Sequence, residues 1–182
     1  MEDSTLSIVG IIIASILMFI VPLILIADRG DDISQLTVET LTAQFVDNII
    51  KQGKITNEDY QSYLASLQSS GNTYDVSIEI KILDKNTAQR ETNLTSAVGQ
   101  NSYYSIFTTQ IQERLASTDS DENLSATGQI ILKEGDIISV TTKNSSKTLS
   151  QTLKNVYYTI KGEDLHIIAS TSTGTVAVNG AI

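Results

Sequence analysis

A chain of 182 residues with no cysteine and one histidine excludes disulfide frameworks, thiol nucleophiles, Cys-ligated metal sites and any site built on two imidazoles. Its net charge of −9, from 21 acidic and 12 basic residues, together with basic residues scattered singly (Lys51, Lys54, Lys81, Lys85, Arg90), argues against nucleic acid as a partner, because phosphate contacts supply most of that affinity. The same charge opposes docking of the polar part on an anionic lipid surface.

The chain opens on the 22 uncharged residues Leu6–Ala27. As a helix they cover roughly 33 Å, the thickness of a bilayer's hydrocarbon core. Leu6, Ile11, Ile12, Ile16, Leu17, Phe19, Pro22 and Leu25 are the expected anchor residues. A cleaved signal peptide competes with this reading. The lack of a basic segment before Leu6, the length of the run and the absence of a small–x–small pattern at Leu25-Ile26-Ala27 favour a retained anchor. A buried core helix is the third reading, but a remainder of about 150 residues would struggle to cover so much apolar surface. For orientation, Arg29 just beyond the span votes for a cytoplasmic domain. The Ser-, Thr- and Asn-rich remainder votes for an extracytoplasmic one, which is the expectation adopted. Ser7, Gly10 and Ala14 recur at i, i+3 and i+7, a small-residue face that another helix could approach closely; small residues are also common in membrane helices generally. Pro22 removes a donor near the Met18 carbonyl and should loosen or kink the helix.

Asp28-Arg29-Gly30-Asp31-Asp32 marks the boundary with water. Ile33, Leu36, Thr37, Thr40, Leu41, Gln44, Phe45, Asn48 and Ile49 then recur at helical spacing, widened by Val46 and Ile50, and Gly53 stands where a C′ glycine belongs. The expected result is one rod of roughly 70 Å ending near Gln52, half in lipid and half amphipathic. This divides the chain into a flank (1–5), a span (6–27), an amphipathic continuation (28–53) and a head (54–182).

In the head, Thr56-x-x-Asp59 resembles a capping box and opens a second helix through Tyr60, Tyr63, Leu64 and Leu67, ended by Gly71. Tyr74, Val76, Ile78, Ile80 and Ile82 alternate with Asp75, Ser77, Glu79 and Lys81, the clearest strand in the chain. Residues 84–101 read as loop, Tyr103–Leu115 as a helix through Tyr104, Phe107, Ile111 and Leu115, and 117–128 as exposed polar chain. Gln129–Leu132 and Asp136–Thr142 flank Lys133-Glu134-Gly135 as an expected hairpin. An amphipathic helix follows at Leu149, Leu153 and Val156, then a last hairpin, Leu165–Thr171 and Thr175–Val178, around Thr173-Gly174. The fold class expected is α+β, with an antiparallel-sheet head and part of the long helix packed on it.

Motifs that carry chemistry are missing: there is no nucleophile elbow, P-loop or H-E-x-x-H. Asp119, Asp121 and Asn123 imitate the first ligands of a calcium loop, but Leu124 and Ile130 occupy the positions that need Gly and Glu. His166, in an expected strand, reads as structural or surface imidazole. Arg29-Gly30-Asp31 spells an adhesion tripeptide inside an expected helix. Asn93, Asn123 and Asn144 head glycosylation sequons, relevant only in a glycosylating pathway. The expectation is a non-enzyme with no metal, cofactor or small-molecule substrate.

This order of an apolar helix containing a proline, an amphipathic continuation and a β-rich head resembles type IV pilins and pilin-like subunits. Residues 46–56 (VDNIIKQGKIT), 60–64 (YQSYL), 70–76 (SGNTYDV), 135–141 (GDIISVT) with 143–146 (KNSS), and 178–180 (VNG) are similar to TadE-like minor pilin and assembly proteins of the Tad-type pili of Firmicutes. The resemblance implies a non-enzymatic part of a surface filament or its assembly machinery, pairing with itself or related subunits through the N-terminal helix. A pilin leader carries basic residues and a glycine before the cleavage point, with glutamate following in the mature helix. Here Thr5 stands at position five and the nearby acids are Glu2 and Asp3, so a membrane-held protein and a polymerised subunit both stay open. A single-pass protein with an extracytoplasmic binding or sensory domain is the alternative function.

Overall fold

The computed structural model describes residues 2–84, 102–116, 128–161 and 167–180. The described elements are α1 (Glu2–Gln52), β1 (Lys54–Thr56), α2 (Asn57–Gln68), β2 (Tyr74–Asp84), β3 (Ser102–Phe107), α3 (Thr108–Ala116), β4 (Gln129–Ile131), β5 (Ile137–Asn144), α4 (Leu149–Lys161) and β6 (Ala169–Thr175). The fold is α+β with a long N-terminal helix and antiparallel sheets: one of four strands in the order β3-β2-β5-β6, the other the short pair β1-β4.

The alternation seen in β2 sets the core. Val76, Ile78, Ile80 and Ile82 are buried, and the register puts Ile80 opposite Ile106 on one side and Ile138 on the other, with Ile78 opposite Val140. Successive residues of a strand face opposite ways, so these form one apolar face. The second half of α1 covers it through Val38, Phe45, Val46 and Ile49, all buried. Three buried hydroxyls tie the layers together: the Tyr63 hydroxyl lies 2.9 Å from Thr42 Oγ1 and 2.6 Å from Thr142 Oγ1. Helix α1, helix α2 and strand β5 are thus joined without leaving a polar group unpaired. Burial pushes the Tyr63 phenol above its ordinary value, with the two hydroxyl bonds pulling the other way.

Capping and turn chemistry behave as the sequence suggests in three places. Gly53 ends α1 with φ 67°, donating its N–H to the Ile49 carbonyl at 2.8 Å. Thr56 caps α2, its Oγ accepting from the Asp59 N–H at 3.1 Å. Gly71, at φ 83°, follows the last turn of α2.

Other expectations are corrected. The segment expected to be helical over Tyr103–Leu115 is strand up to Phe107 and helix from Thr108. Ser102, Tyr104 and Ile106 alternate with Tyr103, Ser105 and Phe107, a β-favouring run. The helix starts where the Gln110 side chain accepts the Phe107 N–H at 3.2 Å and the Thr108 hydroxyl takes the Ile78 N–H at 2.7 Å.

The hairpin expected around Lys133-Glu134-Gly135 does not form. β4 pairs with β1, matching Ile130 to Ile55, while β5 pairs with β2 and β6. The turn, with Gly135 at φ 95°, carries the chain from the small sheet to the large one. The buried Asp136 carboxylate fixes it by accepting the N–H groups of Leu83 at 2.9 Å and Lys133 at 2.8 Å.

The last expected hairpin is one strand: β6 runs through Thr173 and Gly174 and pairs along β5. Gly174 is small for packing, since a Cβ there would collide with Ile50 Cδ1 of α1. Ser170 and Ser172 share that face by register, so α1 lies close over the strand.

The stripe on α1 is also shifted. Ile33 and Leu36 are 66% and 64% exposed, while Val38, not anticipated, is fully buried. In α4, Leu149 is 61% exposed, and among the described side chains Ser150 and Gln151 are the buried ones, with Leu153 half-buried; the side chain of Val156 lies outside the described ones. Of the expected loop over 84–101, Asp84 instead ends β2 and 85–101 lie outside the described residues, as do 117–127 of the polar stretch 117–128, Leu165 and His166.

Candidate functional site

Three features of α1 carry functional content, and the first is its N-terminal half. The most apolar 18 residues of this helix have a mean hydropathy of 3.1, and none is buried. By length and composition it is a candidate membrane anchor. Leu6, Ile11, Ile12, Ile16, Leu17, Phe19 and Leu25 are all exposed on the head-bearing chain, as is Pro22, which the helix passes without a break. Ser7, Gly10 and Ala14 are exposed on the same helix, and the space where a Gly10 Cβ would sit is open. Ser15 Oγ donates to the Ile11 carbonyl at 2.9 Å, which satisfies its hydroxyl within the helix.

The second feature is the junction just past this half. Ala27 is already buried, and one turn of α4 is hydrogen-bonded to the acids that follow it. Lys154 and Ser150 both contact the Asp28 carboxylate, and Thr148 Oγ1 donates to Asp31 at 2.7 Å. The Lys154 hydrogen bond, then that of Ser150, holds the Asp28 carboxyl below its ordinary value against the opposing effect of burial. Thr148 also opens α4: its hydroxyl accepts the Gln151 N–H at 3.2 Å while Gln151 Oε1 accepts the Thr148 N–H at 3.1 Å, a reciprocal cap. Arg29-Gly30-Asp31 is therefore helical, with Asp31 engaged internally. On the adjoining turns, Gln35 pairs with the backbone of β6, giving Nε2 to the Ala169 carbonyl at 2.8 Å and accepting the Ala169 N–H at 3.0 Å.

The third feature is a groove of about 180 Å³ between α1 and α2. Gln44, Asn48 and Gln52 form one wall, and Asp59, Ser62 and Ser66 the other. Its floor contains Phe45 and Tyr63, stacked with ring centroids 4.4 Å apart and planes 4° from parallel. Gln44 and Asn48 belong to the mixed stripe visible in the sequence. Gln52 and the facing wall were not foreseen, because that wall exists only once α2 folds back on α1.

Among the described residues, no group of three or more His, Asp or Glu could hold a metal ion. Asp119, Asp121, Asn123, Asn93 and His166 lie outside the described residues. Asn144 ends β5; its Oδ1 accepts from the Ser146 N–H and hydroxyl at 3.0 and 3.1 Å. Its Nδ2 is buried without a partner, so the folded head does not present that nitrogen to a glycosyltransferase. A scan against family models finds no match, and searches of the curated proteins and of the solved structures find none either.

Proposed function

We propose that this chain is a non-enzymatic, pilin-like structural subunit of a cell-surface filament, or a membrane-held component of the machinery that assembles one. Leu6–Ala27 lies in the bilayer, the head sits outside the cytoplasm, and the partners are lipid and copies of itself or related pilin-like subunits. The observation that carries this reading is the single helix α1 (Glu2–Gln52), whose most apolar 18 residues are unburied while its second half is built into the head. An apolar helix needs a partner, and lipid or neighbouring helices are what remain for this one. In lipid, close packing at small residues drives association, which gives Ser7, Gly10 and Ala14 their place.

Shearing intact cells tests the filament: the chain is expected in the sheared fraction, and its complete retention in the membrane would leave the assembly role. Gly10→Ile keeps the span apolar and fills the small face. It is expected to abolish crosslinking between chains in the membrane, whereas Ile12→Leu leaves it intact. Equal crosslinking by Gly10→Ile and the parent would remove that face from the mechanism. The groove between α1 and α2 favours a second reading, a single-pass protein with an extracytoplasmic binding domain.

A further inference from the structure

The amides of Gln44, Asn48 and Gln52 succeed one another at four-residue spacing, which is about 6 Å along a helix axis. An extended chain repeats every two residues, at about 6.4–6.8 Å, so successive amides fall opposite alternate peptide groups over a short stretch. A carboxamide sets an N–H donor beside a carbonyl acceptor, the same pair that a peptide presents along the edge of a strand. The molecule already uses this pairing: Gln35, on the same helix, gives 2.8 Å and takes 3.0 Å hydrogen bonds with the backbone of Ala169. Gln44, Asn48 and Gln52, in contrast, are exposed, and their side-chain amides make no hydrogen bond among the described residues.

We infer that the groove binds an extended peptide segment by its backbone, with the α1 amides pairing alternate residues and the Ser62 hydroxyl serving the other side. Two other ligand classes fit worse. A sugar ring needs an open aromatic face, but Phe45 and Tyr63 stack on each other and are 6% and 5% exposed. An anion would meet Asp59, the one charged side chain in the lining, on a chain of net charge −9; a lysine in the peptide is favoured for the same reason. The volume of about 180 Å³ lies below the ~300–1,000 Å³ of enclosed small-molecule sites and suits a backbone passing through. The inference rests on the groove and holds whether or not α1 polymerises.

The test uses the full chain in detergent micelles and a pooled library of blocked octapeptides, each with one lysine among Ser, Thr and Val. The side-chain amide resonances of Gln44, Asn48 and Gln52 are expected to shift with added library, while that of Gln35, already paired, stays in place. A library N-methylated at alternate residues is expected to give no shifts. Asn48→Leu, at an exposed position, is expected to keep the melting temperature and weaken the apparent affinity read at Gln44 and Gln52 about tenfold, the loss of one two-bond pair. The inference is overturned by silence of the three amides, by equal shifts with the methylated library, by an unchanged affinity in Asn48→Leu, or by shifts with chitotriose in place of peptide.

Discussion

The two halves of α1 share one backbone and differ in everything their side chains meet. From Leu6 to Ala27 the helix carries no charge, and every residue up to Leu23 is exposed, burial beginning only at the last turn with Ala27. From Asp28 to Gln52 it buries a line through Val38, Thr42, Phe45, Val46 and Ile49. Helical hydrogen bonds are internal and indifferent to the surroundings, so continuity across the boundary is a property of the backbone. The change of environment is written wholly in side chains: Asp28 and Asp31 end the first regime by binding α4, and the stripe that follows begins the second.

The largest expected effect separates the halves by stability. Ile49→Ala removes a side chain with 2% exposure and should cost the head about 2–5 kcal/mol, measured by thermal or denaturant unfolding in micelles. Ile12→Ala, on the other half, should leave that transition where it is. Equal destabilisation by both would mean that the apolar half also holds the head together.

Gly174→Val comes next. Its side chain must enter the space filled by Ile50 and approached by Val46, so overpacking is expected to cost about 1–3 kcal/mol in the same measurement. A neutral result would show that the flexible end of Ile50 swings aside without loss.

The smallest effect lies at the junction. Because the Asp28 carboxyl is held below its ordinary 3.8, its bond with Lys154 stabilises the fold above that range and is lost as pH falls through the lowered value. Lys154→Gln should therefore cost about 1 kcal/mol or less at pH 7, as suits a partly exposed pair. The difference from the parent should shrink as pH falls below about 4. A difference that persisted at low pH would assign the effect to packing of the lysine stem.

Much of this architecture could be read without coordinates, wherever the determinant was local. The apolar half of α1 needed only a count of uncharged residues, the end of α1 only Gly53, the start of α2 only Thr56 and Asp59, and β2 only its alternation. What failed depended on distant partners. Tyr104, Phe107, Ile111 and Leu115 fit helical spacing by accident across a strand–helix boundary. β4 is three residues long and is specified by Ile55, far away in sequence, facing Ile130. β6 reads as Ala-Ser-Thr-Ser-Thr-Gly-Thr, with no large apolar side chain, because α1 occupies the room such residues would take. For the candidate sites, the long apolar half of α1 was legible in the sequence. The groove was half legible: the α1 amides stood in a visible stripe, but nothing local announced that Asp59, Ser62 and Ser66 would face them.

The meeting of Gly53 with Gly180 sets an order of events during synthesis. Gly180 donates to the Leu132 carbonyl at 2.9 Å, and Leu132 donates to the Gly53 carbonyl at 2.8 Å. A Cβ on Gly53 would come within 2.5 Å of the Gly180 nitrogen, so the end of the long helix is closed by residues made more than a hundred positions later. The edge of the large sheet that α1 covers is β6, also made late. A ribosome therefore releases the apolar helix long before the surface that seats its second half exists. Non-local closure of this kind is slow, so the surface that seats the second half of α1 is among the last parts of the head to form.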